Sequence, residues 1–515
     1  MNYKQGTDKK ARSLFPMSLA DQISENNICR VIYAFVEQLD MKKLNFKYSE
    51  CKDRGDRPYD PRMLLCLYIY GYLHRIRSSR RLEAETHRNI EVMWLMNELT
   101  PDDKTICNFR KDNISGLTAV FREFSILCKN LNLFGGKITA TDSTKFRANN
   151  SRQNNHNKAT VNKKLSSINK RISEYMNILE ESDSSQTDEV MPTTDEIKAI
   201  LENLNARKEK LETFAHCLET ASEISTVDPD ARLMRSGGDA RPLDVCYNVQ
   251  TIVDSKNNLI VDFAISTCPD DKGNLFKMTE KAKEVMGVDT FVNLADRGYY
   301  DGEDIVACED NGVICLVLKP KSGGGSQSKD FKKERFIYDR EKNCYICPLG
   351  NELSFKGEEK RDGKDYFVYF NFSACNECAL KSECTRAKYR KISRVSYQDK
   401  LDIVDKRTAN NRKLYLKRYE IIEHVFGTIK GVWGFKQYLC RSKPKVSAET
   451  SLTYLCYNFR RVFNIYGGNV KKLVGAMKAY SSFFFDFSLK MDIFQKIFIF
   501  LRNLKNKKMR LQFNR

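Results

Sequence analysis

The sequence predicts a mixed α+β chain: a helical N-terminal domain, then a mixed-sheet core that carries a helical hairpin and a cysteine-rich β insertion. Three observations predict it. Helix start signals repeat within residues 1–134. Short apolar and alternating runs, the mark of strands, begin at residue 135 and return after residue 224. Between them run two seams whose apolar positions step by three and four.

Each element has its own justification. "DPRMLLCLYIYGYLHRI" (60–76) offers Asp60 as an N-cap and Pro61 at the first helical position. "TPDDKTICNFRKDN" repeats the signal, with Thr100 as cap and Pro101 behind it. Short helices with Arg and Lys on their outer faces suit a helix-turn-helix-like DNA-binding unit. A helical bundle with a solvated basic face has the same spacing.

In "GGKITATDSTKFRAN" (135–149), Ile138, Ala140 and Asp142 lie on one face of a short strand and Thr139 and Thr141 on the other. Asp142 is expected at the strand's polar end. Leu165, Ile168, Ile172, Tyr175 and Leu179 form one seam. Ile197, Leu201, Leu204, Lys208, Leu211, Ala215 and Leu218 form the other, so residues 158–224 read as an antiparallel helical hairpin. Its tip is the acidic stretch "EESDSSQTDEVMPTTDE". It serves as a spacer or as a contact with a second subunit or DNA.

"YNVQTIVDSKNNLIVDFAIST" (247–267) reads as a β-hairpin turning at "DSKNN", and "LFKMTEKAKEVMG" as a helix. "TFVNLADRGYYD" is an apolar run ending in Asp296, and "DIVACEDNGVICLVLKP" is a helix, a turn and a strand. "SGGGSQSKD" (322–330) is a linker, 331–395 the cysteine-rich insertion, and 400–465 helical. The core thus spans 135–465, and 466–515 form a basic amphipathic tail.

Lys and Arg number 87 against 67 Asp and Glu in 515 residues, a formal charge of +20. Such an excess points to a polyanionic partner, nucleic acid first and an anionic membrane surface second. The tail segment "FQKIFIFLRNLKNKK" is the part that suits a membrane surface. No apolar run is long enough to span a membrane, and "MNYKQGTDKKARS" lacks a signal peptide's apolar core. A cytoplasmic protein is expected, whose 17 cysteines are buried thiols or metal ligands.

Asp142 and Asp296 are each a single acid at the polar end of an apolar run, and a helix near 411–430 can deliver a third. Three carboxylates from two strands and a helix suit hard divalent cations. Two such ions roughly 4 Å apart can activate a nucleophile and stabilise the leaving oxygen of a phosphodiester. Taken singly, an Asp after a strand is more often a turn residue or a helix cap.

"TATDSTKFRAN", "LADRGYYD" and "YEIIEHVFGTIKGVWGF" resemble the three acidic motifs of DDE-type insertion-sequence transposases. "RPYDPRMLLCLYIYGYLHRIRSSRRLE" and "PDDKTICNFRK" resemble the N-terminal domain of the InsH-type branch. "DPDARLMRSGG", "YNVQTIVD" and "CPLG…CNECALKSECT" fit that branch in the expected order, over residues 55–465. The resemblance implies a ribonuclease-H-like catalytic core that cleaves at element ends and transfers strands into target DNA. It implies two Mg²⁺ or Mn²⁺ ions held by Asp142, Asp296 and the third motif's glutamate. The partners implied are double-stranded DNA, both terminal repeats and target, and a second copy of the chain to hold two ends. An inactive end-binding protein and a nuclease that cuts without joining are the alternatives.

The family's third motif has a Glu followed seven positions later by a Lys. Glu423 with Lys430 satisfies this, whereas Glu420 meets Gly427. On an unbroken α-helix seven residues bring two side chains within roughly 20° of one face, and ten residues leave about 80° between them. Ile422, Phe426, Ile429 and Trp433 form the apolar stripe beside that face. Lys430 and Arg418 are expected to face phosphates. Tyr415 and Arg418 have the motif's mutual spacing, although Arg418 lies five rather than four residues before Glu423. Trp433 is a candidate for stacking on a flipped base, and equally a core residue completing the stripe.

Cys344, Cys347, Cys375, Cys378 and Cys384 have zinc-ribbon spacing. The resemblance includes Cys347, Cys375, Cys378 and Cys384 and leaves Cys344 as the alternative. A structural zinc and buried free thiols both fit.

Overall fold

A computed structural model describes residues 17–50, 57–184, 194–235, 243–320 and 329–479. Most of the tail (480–515), of the hairpin tip and of the linker lies outside them; the expected tail's first part, 466–479, is not a free tail but packs Val470, Leu473 and Met477 into the core.

Among the described residues, seven helices come first: α1 (Leu19–Gln22), α2 (Ile28–Glu37), α3 (Pro61–Leu73), α4 (Ser79–Arg88), α5 (Ile90–Leu95), α6 (Asp103–Asp112) and α7 (Ile114–Asn130). α3 begins where its sequence says. Asp60 accepts a hydrogen bond from the Arg62 N–H at 2.8 Å, with Pro61 in the first turn. α3 is buried nearly all round, because it is apolar all round. α6 starts later than Thr100 and Pro101 suggest. Asp102 is the cap, accepting from the Thr105 N–H at 2.8 Å, while Thr100 and Pro101 stay non-helical ahead of it.

β1 (Ile138–Arg147) opens the sheet. β2 (Asn155–His156) and β3 (Ile224–Ser225) pair to close the base of the hairpin formed by α8 (Lys158–Ser184) and α9 (Thr194–Cys217). Val161, Ile168, Leu204, Leu211 and Leu218 form its private core, along the two seams. β4 (Arg232–Arg235), β5 (Leu243–Asp254), β6 (Leu259–Ser266), α10 (Leu275–Met286), β7 (Phe291–Ala295), α11 (Gly302–Asp310) and β8 (Val313–Val317) complete the central unit.

β5, β1, β7 and β8 lie side by side, with β4 and β6 both paired to β5. β1 runs antiparallel to β5 over Thr139–Arg147, but parallel to β7 only over Ile138–Thr141. Asp142 is therefore the first residue of β1 beyond the end of β7. It stands mid-strand and not at a strand end, because β5 keeps pairing to Arg147 after β7 has stopped.

The insertion is an antiparallel sheet of β9 (Ile337–Asp339), β10 (Cys344–Ile346), β11 (Glu352–Arg361), β12 (Lys364–Phe370) and β13 (Ile392–Val395). It carries two short helices, α12 (Phe372–Asn376) and α13 (Lys381–Cys384), and its own small core. Then come α14 (Gln398–Asn410), α15 (Arg412–Phe426), a π-helical turn (Gly427–Val432) and α16 (Lys443–Ile465).

Helices cover both faces of the sheet. α7, α15 and α16 pack on one side, and α10, α11 and α14 on the other. α16, buried almost throughout from Val446 to Phe459, packs on α3 and α7. One continuous core thus joins the N-terminal helices to the sheet.

Candidate catalytic site

The fold brings Asp142 and Asp296 together. β7 ends at Ala295, so Asp296 leaves the sheet beside Asp142 at the same edge. Helix α15 crosses over β1, β5 and β7 and lays Arg418 between them. Arg418 Nη1 donates to Asp142 Oδ2 at 2.9 Å, and its Nη2 donates to Asp296 Oδ1 at 3.2 Å. The Arg418 side chain is only 5% exposed, which makes this a buried cation shared by two carboxylates. Its guanidinium also stacks over the rings of Tyr419 (4.4 Å) and Tyr415 (5.8 Å).

Burial pushes the Asp142 carboxyl up to about 6, against the pull of Arg418; Asp296 and Asp271 push it further the same way. Asp271 is a residue that sequence reasoning misses. It follows the end of β6, where Asn248 and Gln250 of β5 each donate to its Oδ1 at 2.8 Å. Tyr299, just past Asp296, donates in turn to Gln250 Oε1. The signal that could have found it is the acid pair of "CPDDKG", just past β6, which pairs with β5 as the strand bearing Asp142 does.

Glu423 is not part of this pair. It is exposed on α15 and its carboxylate makes no hydrogen bond or ion pair among the described residues; Glu420 is exposed as well. Five helical residues put Arg418 and Glu423 about 140° apart, so the face that offers Arg418 to the aspartates turns Glu423 elsewhere.

The shared face expected for Glu423 and Lys430 is also absent. The π-helical turn begins at Gly427, and its wider winding rotates Lys430 out of register. Lys430 is not on a solvated face. Its Nζ donates to the Lys145 carbonyl at 2.8 Å and sits 4.8 Å from the Phe146 ring centroid. Burial lowers its pKa to about 8. A Cβ on Gly427 would meet nothing within 4 Å, so protein packing does not require this glycine.

Two further expectations of DNA contact change. Arg418 faces carboxylates instead of phosphates, and Tyr415 is buried beneath it. Trp433 is half-buried against the core, tilted on Tyr457 at 6.4 Å, which is the packing role its spacing allows. His424 shares a 3.1 Å hydrogen bond with the Tyr457 hydroxyl.

In the insertion, Cys347, Cys375, Cys378 and Cys384 line one cavity of about 30 Å³. Burial, and then the neighbouring thiols against Arg390's pull, raise the Cys384 pKa. Cys344 is buried in β10 and does not line that cavity. Among the described residues no three His, Cys, Asp or Glu side chains are gathered closely enough to hold a metal ion.

Residues 17–112 match the family described as Transposase domain (DUF772), and residues 346–463 match the Transposase DDE domain family. These two matches, in the order the motifs imply, support a DDE-type transposase. No curated protein matches it. Among solved structures, a synaptic complex of piggyBac transposase with hairpin DNA aligns over 90% of this chain and 81% of that one, at 9% identity and a TM-score of 0.31. At that score the alignment decides nothing about fold or chemistry. No described helix is long and apolar enough to cross a membrane.

Proposed function

We propose that the chain cleaves DNA at insertion-sequence ends and joins the freed ends to target DNA, with Asp142, Asp296 and Glu423 as its catalytic acids. The observation that carries this reading is the single guanidinium shared by Asp142 and Asp296. Two carboxylates from two strands converge on one cation, and their hard oxygens suit Mg²⁺ or Mn²⁺. The antiparallel β1, β5 and β6, with β7 and β8 parallel on the other side of β1, support the ribonuclease-H-like reading.

Asp142 and Asp296 would hold the divalent ions, with Glu423 joining from α15. Bound there, the ions supply activation of the attacking oxygen and charge at the leaving oxygen. The chain's own residues do the rest. Arg418 balances the acids until the ions replace it, and then becomes a donor for the scissile phosphate. Lys430 holds positive charge beside β1. A water oxygen bonds to phosphorus as the bond to the element's 3′ oxygen breaks; that 3′-OH then bonds to a target phosphorus as the target's own 3′ oxygen leaves as a hydroxyl. Two ends must be held at once, so a dimer on double-stranded DNA is expected, in a bacterial cytoplasm. Cys347, Cys375, Cys378 and Cys384 match zinc in donor chemistry and would hold it structurally.

The outward Glu423 favours one other reading, an end-binding protein without cleavage. Cleavage of a supercoiled plasmid carrying the element's own ends, with Mg²⁺ or with EDTA, decides between them. Metal-dependent excision by the wild type, absent in Asp142→Asn, is the expected result. Excision by Asp142→Asn would overturn the assignment. Specific end binding without cleavage by the wild type would establish the second reading.

A further inference from the structure

Between α6 and the segment leading into α16 lies a cleft of about 370 Å³. Arg110 and Lys111 line it from α6, Arg441 and Lys445 from the other wall, and Asn149 from just beyond β1. Among the described residues, four cations line it and no carboxylate does.

Its walls are fixed. Glu449 of α16 is fully buried and accepts from the backbone N–H groups of Leu439 and Cys440, each at 3.0 Å. Arg77 reaches over from the N-terminal helices to donate to the same carboxylate at 3.3 Å and to the Gln437 carbonyl at 2.9 Å. Arg441 Nε donates to the Asn149 carbonyl at 3.0 Å, and Asn149 Nδ2 donates to the Leu439 carbonyl at 2.8 Å. The start of α16 is already satisfied: Asp228 accepts from the Ser442 N–H and Asp230 from the Lys443 N–H. The cleft's charge is therefore that of its side chains.

One donor in it is unspent. Arg110 Nη1 is buried without a hydrogen-bond partner among the described residues. A buried donor left unmade is costly, more so when charged. An anion in the cleft would satisfy it.

We propose that this cleft seats a backbone phosphate of the bound duplex, with Arg110, Lys111, Arg441 and Lys445 as its ligands. The proposal rests on the transposase reading and adds a distance to it. Asn149 lies seven residues beyond Asp142, two past the end of β1. At ~3.3 Å per residue that is about 23 Å, or about seven base pairs at ~3.4 Å each. The seated phosphate thus lies within about seven base pairs of the reacting one.

The test is duplex binding by the full chain, read as fluorescence anisotropy against salt concentration. The probe is a labelled duplex of the element's own end. Arg441→Ala/Lys445→Ala changes two exposed residues and should lower the slope of log K on log salt by about 1, near the 0.9 expected for one phosphate no longer neutralised. Lys277→Ala/Lys281→Ala removes equal charge from α10, on the other face of the sheet, and should leave the slope near the wild-type value. A neutral methylphosphonate at one of the positions within about seven of the cleaved bond should weaken wild-type binding and not that of Arg441→Ala/Lys445→Ala. Equal slopes for the two variants, with wild-type binding intact, would overturn the cleft alone. No duplex binding by the wild type would overturn the transposase reading beneath it.

Discussion

Arg418 and Asp142 stand 276 residues apart in sequence and meet at 2.9 Å. The guanidinium is almost removed from solvent and is the cation that Asp142 and Asp296 share. Taking one partner from a buried pair costs about 3–5 kcal/mol, because the other charge is left without compensation. Asp296 is partly exposed, so the lower end of that range applies. Arg418→Met should lower the melting temperature of the metal-free protein. Mg²⁺ should restore part of the loss, because the aspartates then regain a cation, while the wild type gains less. Thermal melts across a Mg²⁺ titration measure both. Equal Mg²⁺ shifts in the two proteins would contradict a shared place for guanidinium and metal.

Glu423 and Glu420 are both exposed on α15, so neither carboxylate supports the fold. Glu423→Gln and Glu420→Gln should each stay within about 0.5 kcal/mol of wild-type stability. Their activities should differ. Glu423→Gln should lose excision by at least about a hundredfold, in keeping with loss of a group that acts on the reacting oxygens, and Glu420→Gln should keep it. Excision retained in Glu423→Gln and lost in Glu420→Gln would move the third acid by one helical turn.

Much of this arrangement is legible in the sequence, and the exceptions share a cause. The strand before Asp296, the β5–β6 hairpin turn and both hairpin seams follow from local periodicity, which neighbours in sequence impose. Asp142 reads as a strand end because its own run of apolar residues stops there. Its true position depends on β7 stopping while β5 continues, and that is a property of strands more than a hundred residues away. Arg418 reads as a phosphate ligand for the same reason: spacing along α15 records its neighbours on the helix, not the two carboxylates across the sheet. The π-helical turn after Phe426 defeats any angle counted at 3.6 residues per turn. Asp271 has only the acid pair of "CPDDKG" to mark it, and what singles it out is the two amides that hold it.

The insertion separates its cysteines by position. Cys347, Cys375, Cys378 and Cys384 share a cavity, and Cys344 does not line it. If the four bind zinc, the purified protein should hold about one zinc per chain, as four-coordinate thiolate sites do. Cys344→Ser should keep it, and Cys378→Ser should lose it. Elemental analysis after gel filtration reads the content, and a chelator should lower the melting temperature of the wild type but not of Cys378→Ser. Zinc lost from Cys344→Ser and retained in Cys378→Ser would invert the set.

Lys430 offers a test in pH. Burial lowers its pKa from the ordinary lysine value of 10.5 to about 8. Between those values the unfolded chain binds a proton that the folded chain releases, so this group makes stability rise with pH across that window. Below about 8 both states are charged, and the fold carries the whole cost of burying the ammonium. The hydrogen bond to the Lys145 carbonyl and the Phe146 ring offset part of that cost. Lys430→Met keeps the apolar stem and removes the charge. It should be more stable than the wild type at neutral pH, by about 1–3 kcal/mol given ~1.4 kcal/mol per pKa unit. That advantage should shrink as pH rises from 8 towards 10.5. Urea denaturation at several pH values across the window measures it. Parallel stability curves for the two proteins would show that Lys430 titrates as an ordinary lysine and is hydrated, which would return it to the solvated face that its sequence position suggests.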